Sequence, residues 1–167
     1  RALKLNTTGD RNIGIGDGAL DAADTENDNI AIGYNALGGA INGGEFNVAI
    51  GNNALDSNTS GDDNISIGYN ALTSNSTGAV NVAIGKNALD ANTEGGSNTA
   101  IGWNALSANS TSNNNTAVGR QALGASTGAS NTAMGYRAGD VITTGSNNVV
   151  IGATADASVD TAQNQIV

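Results

Sequence analysis

Hydrophobic positions recur along this chain in one short phrase, in which apolar and small residues alternate before a glycine. The clearest copy, NTAIGWNAL, runs from Asn98 to Leu106, and close copies begin at Asn29 and Asn64. In such a copy Thr99 and Ile101 point to one side of a strand, whereas Ala100 points to the other. The pattern therefore predicts one short β-strand in each copy.

The phrase returns every 17 residues, with slips of one residue. Each copy opens with an asparagine: Asn12, Asn29, Asn47, Asn64, Asn81, Asn98, Asn115, Asn131, Asn148 and, for a tenth copy, Asn164. Self-similarity at a fixed period indicates an architecture of stacked repeats. If the copies stack in register, these asparagines form a ladder whose side-chain amides can bond along the axis.

A glycine follows the strand in each of the nine whole copies. These glycines are Gly16, Gly33, Gly51, Gly68, Gly85, Gly102, Gly119, Gly135 and Gly152. A glycine at this fixed place predicts a bend, or an approach of two backbones that a side chain would block. An Ala-Leu pair and a stretch rich in Asn, Ser, Thr and Gly complete each unit, and the stretch predicts a turn.

The repeat length decides the fold class. Seventeen residues cannot fold alone, but stacked coils can, because each strand bonds to the copies above and below. Glycine and asparagine also stand where a helix needs better helix formers. We therefore predict an all-β parallel β-roll, or β-solenoid, formed by residues 1–167 as a single repetitive segment of about nine to ten coils. Because the chain begins and ends within a repeat, we expect it to be a piece of a longer fibre.

Composition limits the chemistry that the chain can perform. It contains no Cys, His or Pro, and its net charge is −9. The six Lys and Arg are scattered, which argues against nucleic acid, and no apolar run is long enough to span a membrane. Carboxylates such as Asp62 and Asp63, or Asp21, Asp24 and Glu26, fall in variable turns. We expect no enzyme, no catalytic residue and no cofactor.

The residue after each glycine varies widely and is therefore expected to be exposed. Aromatic residues occupy this column in every second coil, and two cations lie between them: Tyr34, Tyr69, Lys86, Trp103, Arg120 and Tyr136. In a straight stack the rings would lie about 9.6 Å apart. Such a row could stack on the sugars of a cell-surface glycan, or it could cover the roll or pack at an interface between chains.

Two kinds of local motif resemble ligand-binding sequences, but each lacks a feature that binding requires. DSNTSG (Asp56 to Gly61) and DANTEG (Asp90 to Gly95) resemble the first half of a calcium loop, but Ile67 and Ile101 stand where a bidentate Glu is needed. GIGDGA (Gly14 to Ala19) matches a dinucleotide fingerprint, but the corresponding place in other copies is plain β-repeat. We expect no metal site and no nucleotide site.

The phrases NTAIGWNAL, NTAVGRQAL and NVAIGKNAL, joined by SNSTG and STGAS, resemble the head repeats of trimeric autotransporter adhesins. They are still more similar to the long-period repeats of bacteriophage tail fibres, because adhesin heads usually have a shorter period. The resemblance covers essentially the whole chain. It implies a left-handed roll, three chains around one axis and an extended extracellular fibre.

The thin repeat also favours association on physical grounds. Each coil supplies about three large apolar side chains, and those that do not fill the interior would form rows in water unless several chains bury them together. These physical grounds predict a homo-oligomer without fixing the number of chains. With the resemblance, which implies three chains, we expect a homotrimeric segment of a phage tail fibre that attaches to a host surface through many weak sites. A bacterial surface adhesin of the autotransporter type is the alternative. An ice-binding β-solenoid ranks third, because Thr at the second phrase position is confined to Thr99, Thr116 and Thr132.

Overall fold

The computed structural model describes residues 1–22, 25–39 and 43–167. Nine three-residue strands run parallel in one sheet, and their order in space is their order in sequence. They are β1 (Ile13–Ile15), β2 (Ile30–Ile32), β3 (Val48–Ile50), β4 (Ile65–Ile67), β5 (Val82–Ile84), β6 (Thr99–Ile101), β7 (Thr116–Val118), β8 (Thr132–Met134) and β9 (Val149–Ile151). Eight full turns link the nine strands, which confirms the predicted parallel β-solenoid of about 17 residues per coil.

Adjacent strands pair so that equivalent positions of successive repeats lie opposite each other. Ala83 of β5 lies opposite Ala100 of β6, for example, and Ala100 lies opposite Ala117 of β7. A second row of backbone bonds runs along the opposite wall of the coil. There the Leu N–H of each Ala-Leu pair donates to the Ala carbonyl of the next coil at 2.9–3.0 Å. Because both walls bond along the axis, every coil is held to its neighbours on two sides.

The interior is narrow and is filled mainly by alanine and leucine. From β2 to β9 the middle residue of each strand points inward and is fully buried, as in Ala31, Ala83 and Ala100. The Ala-Leu pair meets it from the other wall, and Leu37, Leu72 and Leu106 are among the largest fully buried side chains. Ser66 replaces the strand alanine in β4, and its hydroxyl donates to the carbonyl of Ala71 at 2.7 Å.

The first and third residues of each strand point outward. In β3 to β5 their Ile and Val side chains are partly or fully exposed, whereas the small residue between them is buried. The alternation predicted two faces, and the structure shows that the face with the larger side chains is the outer one. We call the outward columns of strand residues the outer ladders.

Three non-glycine residues in a typical coil adopt a left-handed backbone, in addition to the glycine that follows the strand. In the sixth copy they are Ser97 (φ 57°), Asn104 (φ 54°) and Leu106 (φ 52°). Leucine is strongly disfavoured in this region, because its Cβ crowds the following carbonyl. Burial of the side chain and the Leu-to-Ala backbone bond of the next coil hold it there.

Candidate functional site

Each strand is followed by a glycine that turns the chain and presents the next residue to solvent. At Gly102 φ is +134°, and a Cβ at this position would lie 2.5 Å from the carbonyl oxygen of Gly119 in the next coil. The eight other glycines of the column also have φ between +127° and +140°. The close approach predicted from the sequence is therefore present in this column, and no L-residue could replace these glycines without strain.

The column after these glycines is exposed in all nine copies. Six of its members form a surface that we call the stripe: Tyr34, Tyr69, Lys86, Trp103, Arg120 and Tyr136. Tyr34 is 53% exposed, Trp103 41% and Tyr136 44%. The rings are therefore open to a ligand or to another chain, and the column variability did predict this exposure.

The stripe divides into a stacked part and an isolated ring. The guanidinium carbon of Arg120 lies 4.2 Å from the ring centroid of Trp103 and 5.6 Å from that of Tyr136. The Lys86 ammonium lies 5.7 Å from the Tyr69 centroid. These are cation–π distances. Tyr34 has no such partner among the described residues, because Asp17 and Asn52 flank it in the column.

The two cations of the stripe form no ion pair within residues 1–22, 25–39 and 43–167. The ion pairs of that part of the chain join the amino terminus to Asp17, Arg11 to Asp28, and Arg137 to Asp140. Lys86 and Arg120 therefore keep their charges available at the surface.

A shallow groove of about 210 Å³ lies beside the stacked part of the stripe. Its lining residues are Asn104, Ser107, Gln121, Gly124, Ala125, Arg137 and Asp140. Gly124 opens the groove, because the corresponding residues of neighbouring coils, Ser107 and Asp140, carry side chains. The Asp140 carboxylate binds the Arg137 guanidinium, and this hydrogen bond raises the pKa of Arg137.

The predicted asparagine ladder is present inside the roll. The backbone N–H of Asn98 donates to Oδ1 of Asn81 at 3.0 Å, and the Asn98 amide donates to the carbonyl of Ser112 at 2.9 Å. The equivalent backbone-to-Oδ1 bond recurs in every coil from Asn12 to Asn148. These asparagines are buried from Asn29 onward, so the ladder is structural and not a ligand site.

The sequence misplaced the last rung of this ladder. The N–H of Gln165 donates to Oδ1 of Asn148, and the Gln165 carbonyl accepts from the N–H of Val149. Asn164, which the spacing assigned to the ladder, instead has φ +56° and corresponds to Asn147 of the preceding coil. The prediction of Asn164 was wrong because a slip to 16 residues looked as acceptable as a full period of 17.

A second buried ladder was missed. Four fully buried asparagines form it: Asn58, Asn75, Asn92 and Asn109. The amide of each of the last three donates to Oδ1 of the preceding member at 2.9–3.0 Å. Each also donates to the carbonyl three residues later in its own turn. The available signal was spacing, because each of these residues stands six positions before a strand-opening asparagine.

This ladder also explains the segments that resemble calcium loops. Asn58 and Asn92, the third residues of those segments, point inward, and their amide groups form hydrogen bonds within the ladder. In the described part of the chain, no group of three or more acidic residues comes together to hold a metal ion. Asp24 of the acidic turn lies outside the described residues, and Asp62 accepts the N–H of Glu45 at 2.9 Å.

The segment from Gly14 to Ala19 has none of the geometry of a dinucleotide fingerprint. Gly14 is the middle residue of β1, and the following residues form the ordinary turn of the coil. A fingerprint needs a helix whose first N–H groups face the pyrophosphate. The described residues contain no helix here and none that is long and apolar enough to cross a membrane.

Comparisons of the chain with models of protein families, with curated proteins and with solved structures find no match. Two surfaces of the molecule are candidates for a function: the outer ladders, and the stripe with its groove.

Proposed function

We propose that this chain is a segment of an extended homotrimeric fibre, of the kind found in bacteriophage tails, that reaches toward and attaches to a host cell surface. In this proposal the roll is left-handed, the fibre is extracellular, and three copies bury their outer ladders against one another. The proposal draws on the resemblance of the repeats and on the physical properties of those ladders.

The distribution of side chains by size carries the proposal. The coil buries alanine on the inner face of each strand and places Ile, Val, Thr and Met on the outer face. Ile15, Ile101, Met134 and Ile151 are exposed, although a single chain would be expected to bury its larger apolar residues. The third strand position is apolar in all nine strands, whereas Thr occupies the first position in β6 to β8. An exposed apolar column of this kind is typical of an interaction site.

The energy available from covering this surface is large. At about 25 cal/mol per Å², covering a half-exposed Ile or Val yields roughly 1 kcal/mol, so ten such side chains yield on the order of 10 kcal/mol per chain. Association also costs translational and rotational freedom, and the same order of gain is needed to offset it. The outer ladders are therefore extensive enough to hold several chains together.

Attachment would then follow from repetition. Any weak site on one coil recurs along the rod and around its axis, so that engagement of a second site raises the overall affinity without a new kind of contact. The exposed stripe is a site of this kind, because four aromatic rings recur along one side of the stack.

A charged substitution in the outer ladders tests the proposal. Ile84→Asp places a carboxylate at the centre of the outer ladder, and burial of this charge against another chain is strongly unfavourable. We expect it to shift the sedimentation of the protein from the oligomer to the monomer while the circular dichroism spectrum of the roll is kept.

Val80→Asp is the matched control. Val80 is exposed, but it precedes the strand and lies outside the outer ladders, in a column that already accepts Asp28 and Asp63. It should leave the oligomer intact. Equal sedimentation of the two variants would contradict the proposed interface.

A further inference from the structure

We propose that the stripe from Tyr69 to Tyr136 binds acidic saccharides. The Arg120 guanidinium would receive a sugar carboxylate, while the rings of Trp103 and Tyr136 would stack on sugar faces. The inference rests on the proposed attachment function, because it states which surface chemistry the segment would attach to.

Arg120 is arranged to receive a carboxylate. Its guanidinium lies between the rings of Trp103 and Tyr136, at 4.2 and 5.6 Å from their centroids. A guanidinium that stacks on an aromatic ring keeps the N–H groups of its edge free for a bidentate bond to a planar anion. Arg120 has no carboxylate partner in the described part of the chain, so this edge is available.

The local charge favours an anion although the whole chain is acidic. The chain carries a net charge of −9, but residues 95–139 contain no Asp or Glu and include Arg120 and Arg137. Glu94 and Asp140 border this region. The stacked part of the stripe is therefore a locally positive surface, and such a surface raises the concentration of an anionic ligand near it.

The groove beside the stripe supplies groups that suit sugar hydroxyls. Asn104, Gln121 and Arg137 line it, and each directly follows a stripe residue in the chain. Its volume of about 210 Å³ is enough for one sugar ring. Arg137 is already paired with Asp140. The amides of Asn104 and Gln121 are therefore the groups that would bind sugar hydroxyls, and the Arg120 guanidinium is the charge that would bind the carboxylate.

The spacing of the rings matches a linear polysaccharide. Aromatic residues recur in every second coil, about 9.6 Å apart at the usual distance between strands, which is close to the length of a disaccharide unit. A nucleic acid strand is a poorer fit, because a chain of net charge −9 would repel its dense phosphates. A polysaccharide that carries carboxylates can pair with the cations of the stripe, and the apolar faces of its sugar rings can stack on the aromatic rings.

Calorimetric titration of the intact chain tests the inference. The probes are short oligogalacturonates, short polysialic acids and the methyl ester of the same oligogalacturonates, which lacks the charge. We expect the two carboxylated probes to bind, more weakly as the salt concentration rises, and the ester to bind at least about tenfold more weakly, because it cannot form the charge-assisted bond.

Variants locate the site. Arg120→Gln and Trp103→Ala should each weaken binding of oligogalacturonate about tenfold or more. Arg120→Lys should lie between Arg120→Gln and the unchanged protein, because it keeps the charge but loses the planar fork. Lys4→Gln removes the same charge from an exposed position outside the stripe and should leave the affinity unchanged.

The alternative outcomes separate this inference from the proposed fibre. Failure of both carboxylated probes to bind, or equal losses in Lys4→Gln and Arg120→Gln, would overturn the saccharide site. So would stripe variants that change the mass of the particle and not its affinity, because the stripe would then be an interface between chains. A monomer that binds the probes would refute the fibre and leave the site standing.

Discussion

Asn109 shows, at the scale of single residues, how the buried amide ladder ends. The amides of Asn75, Asn92 and Asn109 each donate to Oδ1 of the residue one coil earlier. The next position in this ladder is Ser126, whose hydroxyl is too short to continue it. Oδ1 of Asn109 is therefore buried without a hydrogen-bond partner, and a buried acceptor in this state destabilises the fold.

Ser126→Asn should supply the missing donor. We expect the variant to be more stable by about 1 kcal/mol, the usual net value of one hydrogen bond, and to unfold at a higher urea concentration with an unchanged slope. Ala125→Asn is the control, because Ala125 is exposed in the same turn and faces no buried acceptor. If Ser126→Asn is no more stable than the unchanged protein, the partnerless Oδ1 of Asn109 does not destabilise the fold.

Asp90 gives the molecule a local dependence on pH. Partial burial raises the pKa of Asp90 above its ordinary value, although backbone N–H groups of Asp90 and Ala91 act in the opposite direction. One oxygen of this carboxylate is also buried without a partner. Because the folded-state pKa is the higher one, the charged form destabilises the fold at neutral pH, and this cost disappears as the pH falls through the raised pKa.

Asp90→Asn should therefore be more stable than the unchanged protein at pH 7, and the difference should close by about pH 3, below the unfolded pKa of about 3.9. Urea unfolding at the two pH values measures this. Glu94→Gln removes a charge from an exposed turn of the same coil and should show a smaller gain at pH 7. A gain for Asp90→Asn that is equal at both pH values would contradict the role of burial.

At the scale of one coil, the sequence predicts most of the elements but not their orientation. The strand, the glycine bend, the strand-opening ladder and the exposed column all follow from residue type and spacing. Alternation alone could not decide whether Ala100 or Ile101 points inward. The narrow coil decides it, because only a small side chain fits between the sheet and the opposing Ala-Leu wall.

Other features of the coil could not be predicted from a single repeat, because the local preference of the residue indicates a different conformation or environment. Leu106 adopts φ +52°, and no propensity favours leucine there. Asn92 looked like a turn residue because asparagine is common in turns, but it is buried in an amide ladder. In both cases the stacked neighbouring coil supplies the bond that fixes the conformation, and a single repeat contains no sign of that bond.

Deletion of one coil tests whether the coils are interchangeable units. Removal of residues 82–98 joins Asn81 to Thr99, so that β4 meets β6 in register and both amide ladders close again. We expect a folded, cooperative protein of somewhat lower stability, since each coil contacts only its neighbours. Circular dichroism and urea unfolding measure both properties.

Removal of residues 82–89 is the matched deletion. It takes out about half a coil and places Asp90 after Asn81, which brings the two ladders out of register. This variant should lose the β-sheet spectrum. If both deletions behave alike, the coils are not independent units of one solenoid.

At the scale of the whole molecule, two exposed surfaces differ in their chemistry. The outer ladders expose large apolar side chains along the length of the sheet. The stripe exposes rings and two cations that form no ion pair with any described residue, within an otherwise acidic chain. The first surface suits other copies of the chain, because its third-position column is apolar in all nine strands. The second suits an external ligand, because its chemistry changes from one coil to the next.

Burial of the outer ladders between chains is the central claim, and the mass of the purified protein in solution tests it most directly. Light scattering over a range of concentrations should give about three times the chain mass of 16.4 kDa. A folded particle of 16.4 kDa at every concentration would contradict the account. That result would favour a monomeric ice-binding solenoid. A thermal-hysteresis assay would then test the face that carries Thr99, Thr116 and Thr132.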